Sequence, residues 1–167
     1  HFEMAINNEV AADSLFKMSL EGADGKYGFV DIANNYGGTN AGNLANYYAG
    51  IAYLRLKDYK NAITYLNEFN SKDELLAPIA KGAIGDAFTD INQPKDALEY
   101  YEKAAELRDN AFTTPFYLFK AANTAFDLGE FEKAVTYFTR IKEVYPSSSE
   151  AVNIDLHINK AKYASEK

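Results

Sequence analysis

The chain has 167 residues, 47% of them apolar, with 13 Tyr and 11 Phe. That length and aromatic content suit one domain with a buried core and exclude disorder as a whole-chain state. A net charge of −7 without a basic stripe excludes a nucleic-acid binder, and the absence of Cys excludes disulfide scaffolds, thiol catalysis and Cys-ligated zinc.

The start, His1-Phe2-Glu3-Met4, has neither the basic nor the apolar stretch of a signal peptide, and position 1 is not Met. The expectation is a processed or trimmed fragment, with any membrane anchor upstream of it. Helices are predicted near 5–21, 26–36, 42–56, 59–70, 75–91, 94–107, 113–128, 131–145 and 149–165. Their signature is small and apolar residues at i, i+4 and i+7, as in Ala62, Leu66, Phe69, then Ala97, Tyr101, Ala104, then Ala134, Phe138, Ile141. Gly37-Gly38 ends one helix and Gly129 another. Ser71 with Glu74, and Ser147 with Glu150, have capping-box spacing. Pro94 fits a first helical position and Pro146 stops a helix. The segment Leu75-Leu76-Ala77-Pro78-Ile79-Ala80 is the longest apolar run, too short for the ~20 residues that span a bilayer.

A repeat runs through these helices. A small residue followed by an apolar one occurs at Gly28-Phe29, Ala62-Ile63, Ala97-Leu98 and Ala134-Val135, at spacings of 34, 35 and 37. Twelve residues before each stands Phe16, Gly50, Gly85 or Ala122. Two antiparallel helices cross closely where a side chain is tiny, so Gly50 is expected to face Ala62, and Gly85 to face Ala97.

Few residues carry reactive chemistry. His1 and His157 are the only histidines, too few for a metal site; His157 is expected to be solvated or half-buried. Asp86 and Asp90 share a helix face, with Asp127 at the matching place one repeat later. They read as a solvated surface or as an acidic strip; a hydrolytic carboxylate pair would need a closed pocket. Tyr47-Tyr48 and Phe116-Tyr117 with Phe119 are aromatic runs whose members cannot all face inward, because successive residues differ by 100° around a helix. Gly22-Ala23-Asp24-Gly25 and Gly37-Gly38-Thr39 lack the Lys-Ser/Thr ending of a phosphate loop and read as turns.

A helix–turn–helix unit of about 34 residues with Gly, Tyr, Ala, Phe and Pro at set offsets resembles the tetratricopeptide repeat. The best copy runs from Tyr47 to Ile63, with Gly50, Tyr53 and Ala62 in their slots. The next has Gly85, Phe88, Ala97 and Tyr101; the third has Ala122, Gly129, Ala134, Phe138 and Pro146; the first, with Phe16, Gly28 and Ile32, is degenerate. The usual Trp is replaced by Ala12, Asn46, Lys81 and Leu118. The resemblance implies an all-α fold, a right-handed α-α superhelix or solenoid, built as one domain over 1–167. Its repeats would be near 9–42, 43–77, 78–114 and 115–148, with an end helix at 149–167.

The segments Leu44 to Gly50 and Gly82 to Ala87 also resemble bacterial tetratricopeptide proteins that carry one upstream membrane-spanning helix. That implies an envelope setting, periplasmic or membrane-anchored, with the cytoplasm as the alternative. The family's ligands lie on the inner surface of the first helices. Carried over position by position, this implies a peptide-binding groove of Leu44, Tyr47, Ile51, Leu54 and Arg55, then Ile79, Asp86, Thr89 and Asp90, then Phe116, Phe119, Asn123, Phe126 and Asp127. Members that clamp a C-terminal carboxylate use Lys and Asn where this chain has Tyr47, Ile51, Gly82 and Asp86, so no carboxylate clamp is expected. The expected function is a non-enzymatic scaffold that binds another protein or peptide and needs no cofactor, metal, nucleic acid or membrane contact of its own. The alternative is a self-associating structural module, a homo-oligomer, within a larger envelope complex.

Overall fold

The computed structural model describes residues 2–167, with side chains from Ala11 onward; His1, weighed above as a metal ligand, lies outside them. Among the described residues there are nine α-helices, one 3₁₀ turn and no strand. In chain order they are α1 (Phe2–Glu21), α2 (Phe29–Asn35), α3 (Asn40–Arg55), α4 (Tyr59–Glu68), α5 (Leu76–Asp90), α6 (Pro94–Leu107), α7 (Thr113–Asp127), α8 (Phe131–Val144), the 3₁₀ turn (Ser149–Ala151) and α9 (Ile154–Ser165). The chain is an all-α helical repeat. It divides into two compact units, one up to Asn70 and one from Ser71.

Three hairpins turn in the same way. Lys57, Asn92 and Gly129 each follow a first helix in the left-handed region, at φ of 61, 59 and 79°. The next amide then reaches back to close the helix end: Asp58 N–H donates to Tyr53 O (2.9 Å), Gln93 N–H to Phe88 O (2.8 Å) and Glu130 N–H to Ala125 O (2.8 Å). Of the three, only Gly129 is a residue that adopts this conformation freely.

Second helices start at Asp58, whose Oδ1 accepts from Asn61 N–H (3.2 Å), and at Pro94. The expected capping residues of the other starts are shifted. Asp73, not Ser71, holds the start of α5, its Oδ1 accepting from the amides of Leu75 (2.9 Å) and Leu76 (2.8 Å). One repeat later Asn110 Oδ1 accepts from Phe112 (2.9 Å) and Thr113 (2.8 Å) in the same manner. Its amide nitrogen donates to Glu74 O (3.1 Å), tying the two loops together. Ser148, not Ser147, accepts from Ala151 N–H, and it caps only the 3₁₀ turn. Asn153, at φ 58°, then breaks the chain before α9 begins, so the expected continuous helix 149–165 is two elements.

In the first unit α1, α2 and α3 pack on one another and α4 packs on α3. Leu20, Ala49 and Ala52 are buried there among Phe16, Phe29, Val30, Tyr53, Leu56 and Tyr65. Gly28, expected inside a helix, instead sits just before α2, where its bare Cα lies against Leu20 O. In the second unit each helix from α5 to α9 packs on the next, and α5 also meets α7. Ala97, Tyr101, Leu118, Ala122, Phe138, Ile141, Ile154 and Ile158 belong to one continuous core.

The small residues act one helical turn away from where the sequence pattern placed them. A Cβ on Gly50 would overlap Leu66, and a Cβ on Gly85 would come within 2.6 Å of the Tyr101 ring. Ala62 and Ala97 are fully buried, but the residues that fill the glycine gaps are Leu66 and Tyr101. A third gap is at Gly82, whose absent side chain leaves room for the Tyr117 ring and so lets α7 approach α5.

Candidate functional site

The glycine gaps of the second unit place a polar cluster. The Tyr101 ring lies over Gly85, and its hydroxyl donates to Asp86 Oδ1 at 2.7 Å. Because Tyr117 fills the gap at Gly82, Lys120, one turn further along α7, reaches the same carboxylate oxygen at 2.6 Å. Thr89 Oγ1 lies 3.0 Å from the Tyr101 oxygen and 3.1 Å from Gly85 O. Burial is the main cause of the raised pKa of Tyr101, and the neighbouring Asp86 adds to it, so the phenol stays protonated. Asp86 is thus engaged from two sides, by a hydroxyl and by an ammonium.

Beside this cluster lies a cleft of about 560 Å³. Its apolar wall is Phe116, Phe119 and Val152, and its remaining lining is Thr89, Tyr101, Lys120, Asn123, Thr124, Ser149 and Glu150. Most of these polar groups are satisfied internally: Asn123 Nδ2 donates to Phe119 O (2.8 Å) and Thr124 Oγ1 to Lys120 O (2.9 Å). The Lys120 ammonium sits 5.1 Å from the Phe116 ring centroid. A smaller cleft of about 350 Å³ shares Thr89, Tyr101 and Lys120 with it and adds Asp86 and Asp90.

Of the fourteen groove residues expected from the sequence, Thr89, Phe116, Phe119 and Asn123 line the larger cleft, and Asp86 and Asp90 the smaller. Ile79 is half-buried on α5 outside both. Phe126 meets Phe131 edge-to-face at 5.2 Å with Lys160 over its ring, and Asp127 is exposed beyond it. Leu44, Tyr47, Ile51, Leu54 and Arg55 are on α3, in the first unit. There Leu44 and Arg55 are exposed, Ile51 and Leu54 are half-buried, and Tyr47 packs on Phe69 and Tyr48 at 5.1 and 5.4 Å.

The sequence pattern missed Lys120, Tyr101, Thr124 and the turn Ser149–Val152. The signal for Lys120 is its spacing, because Phe116, Lys120 and Asn123 fall at i, i+4 and i+7 on one face of α7. Tyr101 read as plain core, which its ring is. His157 is half-buried, as expected, with Phe119 and Phe138 both 5.1 Å from its ring centroid. Among the described residues no group of His, Cys, Asp or Glu could hold a metal ion, and no helix is long and apolar enough to cross a membrane.

Models of the tetratricopeptide repeat match residues 44–73, 80–110 and 117–148. No curated protein gives a significant match to the chain. Repeats of this kind generally mediate interactions between proteins. With three of them matched over more than half of its length, and three hairpins closed by the same left-handed turn, the chain belongs to the tetratricopeptide-repeat family.

Proposed function

We propose that this protein is a non-enzymatic scaffold that holds a segment of another protein in the cleft of its second unit. One observation carries this reading: Phe116 and Val152 remain 43% and 67% exposed at the cleft, while the polar groups beside them bond mainly to the protein itself. Such a wall gains by covering apolar surface and offers little to a small polar ligand. The test is parallel affinity capture with wild type and with a Phe116→Ala/Val152→Ser variant. Both positions are exposed, so the fold should survive. Loss of the same captured proteins, by about tenfold or more, is expected from removing two central anchors. Equal capture by both would refute the cleft as the binding surface.

A second reading, a self-associating module of a larger envelope assembly, draws support from α9. Val152, Leu156 and Tyr163 are 67, 70 and 63% exposed. Leu156 and Tyr163 are seven residues apart and share one helix face. Sedimentation velocity of wild type against Leu156→Glu/Tyr163→Glu checks it; a stable dimer would need about 1,600 Å² of total buried surface.

A further inference from the structure

We infer that the segment held in the second unit's cleft carries an apolar side chain with a lysine or arginine on each side of it, the two cations meeting Glu150 and Asp90. This rests on the scaffold reading above and specifies its ligand. The apolar anchor follows from Phe116, Phe119 and Val152. The flanking cations follow from charge bookkeeping. Lys120 is the cleft's one lining cation, and Asp86 balances it at 2.6 Å. Glu150, in the larger cleft, and Asp90, in the smaller, have no ion-pair or hydrogen-bond partner among the described residues. Thr89, Tyr101 and Lys120 belong to both clefts, so each carboxylate lies in a cleft that uses this same wall. The chain's net charge of −7 favours approach of a cationic segment from a distance. An anionic segment would find no uncompensated cation in the lining, and each of its carboxylates would face a like charge.

The full chain is titrated with two fluorescein-labelled pools of nine-residue peptides. Both have Leu, Ile or Phe at the centre in a Gly/Ser background; one has Lys or Arg on both sides, the other Asp or Glu. The basic pool should bind about tenfold more tightly, and the preference should shrink at 0.5 M salt, since partly exposed pairs are worth a few-fold each and are screened. Glu150→Lys should erase most of that preference. Glu143→Lys, the same charge change at an exposed site on α8 outside the cleft, should leave it intact. Unchanged melting temperatures verify that both variants fold.

Equal binding of the two pools, weakened by Phe116→Ala, would overturn the charge specificity while leaving the scaffold reading in place. Binding of neither pool would overturn the inference, and the capture experiment then decides the scaffold reading separately. A wild-type dimer in sedimentation that Val152→Glu dissolves would put a second copy in the cleft and overturn the inference as well.

Discussion

In the second unit, side chains one repeat apart tie neighbouring hairpins together. Lys120 holds Asp86, the Tyr137 hydroxyl donates to Glu102 (2.6 Å), Tyr145 donates to Asp109, and Asn110 holds the backbone of Glu74. In the first unit the ties are aromatic: Phe29 stacks on Tyr48 at 5.4 Å, Tyr53 on Tyr65 at 5.5 Å, and Tyr47 tilts against Phe69. A polar clasp there is Asn43, which donates to Asn70 O (2.7 Å) and accepts from Asn70 N–H (2.9 Å). Every ion pair between described side chains lies in the second unit. Polar ties at repeat spacing require two full-length hairpins in register. The first unit lacks the second of them, because α2 has only 7 residues. Broad aromatic faces tolerate that irregularity better than directional bonds do.

The largest test of this contrast removes a core side chain from each unit. Phe138→Ala should cost about 3–5 kcal/mol and Leu66→Ala about 2–5 kcal/mol, since both are essentially fully buried. Hydrogen exchange should show the loss of protection confined to residues 71–167 in the first case and to residues up to 70 in the second. Loss across both units in either variant would mean that they unfold as one body.

Glycines sharpen the contrast through opposite signs. Gly82→Ala should cost about 1–3 kcal/mol, because the new methyl overlaps the buried Tyr117 ring. Gly38→Ala, with open space around it and no positive φ, should be neutral or stabilise by up to about 1 kcal/mol. Thermal unfolding of the two variants side by side checks both.

Smaller still is the exchange of turn residues. Gly129→Ala should cost about 1–2 kcal/mol through its φ alone, since nothing crowds the site. Lys57→Gly should return up to about 1 kcal/mol to the first unit, because the gain from relieved φ exceeds the added chain entropy. A destabilised Lys57→Gly protein would show that the side chain contributes more than its backbone conformation costs.

The weakest effect is on pH dependence. Two backbone amides, first that of Leu76 and then that of Leu75, hold the Asp73 carboxyl below its ordinary pKa of 3.8. A depressed pKa in the folded state means a contribution that is present above the unfolded value and is lost as pH falls through the folded one. Asp73→Asn keeps both acceptor bonds, as Asn110 does one repeat later, and should flatten the acid limb of the second unit's stability curve below about pH 4. An unchanged acid limb would refute the assignment.

The helices were legible because Ala62, Ala97 and Ala134 open regular apolar stripes and Pro94 marks a helix start. The breaks after α3 and α5 were legible too, but not the left-handed conformation of Lys57 and Asn92, which the hairpin geometry imposes on residues other than glycine. Four residues of the larger cleft and three of the smaller, Thr89 being in both, were readable as positions on first helices. The rest depended on tertiary detail. Tyr101 belongs to the core and also lines the cleft, and Ser149, Glu150 and Val152 line it because Asn153 interrupts what the pattern read as one helix. The partner of Gly82 lies 35 residues away on α7, and no local pattern names it.

The reach of Asn110 to Glu74 has an evolutionary corollary. The acceptor is a main-chain carbonyl, so the joint is indifferent to which amino acid occupies position 74. A duplicated module spliced beside the original would bring its own latch and find a compatible catch, however far the neighbouring sequence had drifted. Lengthening the array by recombination therefore demands no compensating change at position 74, and the selective burden at the seam falls on Gly82 beneath the Tyr117 ring.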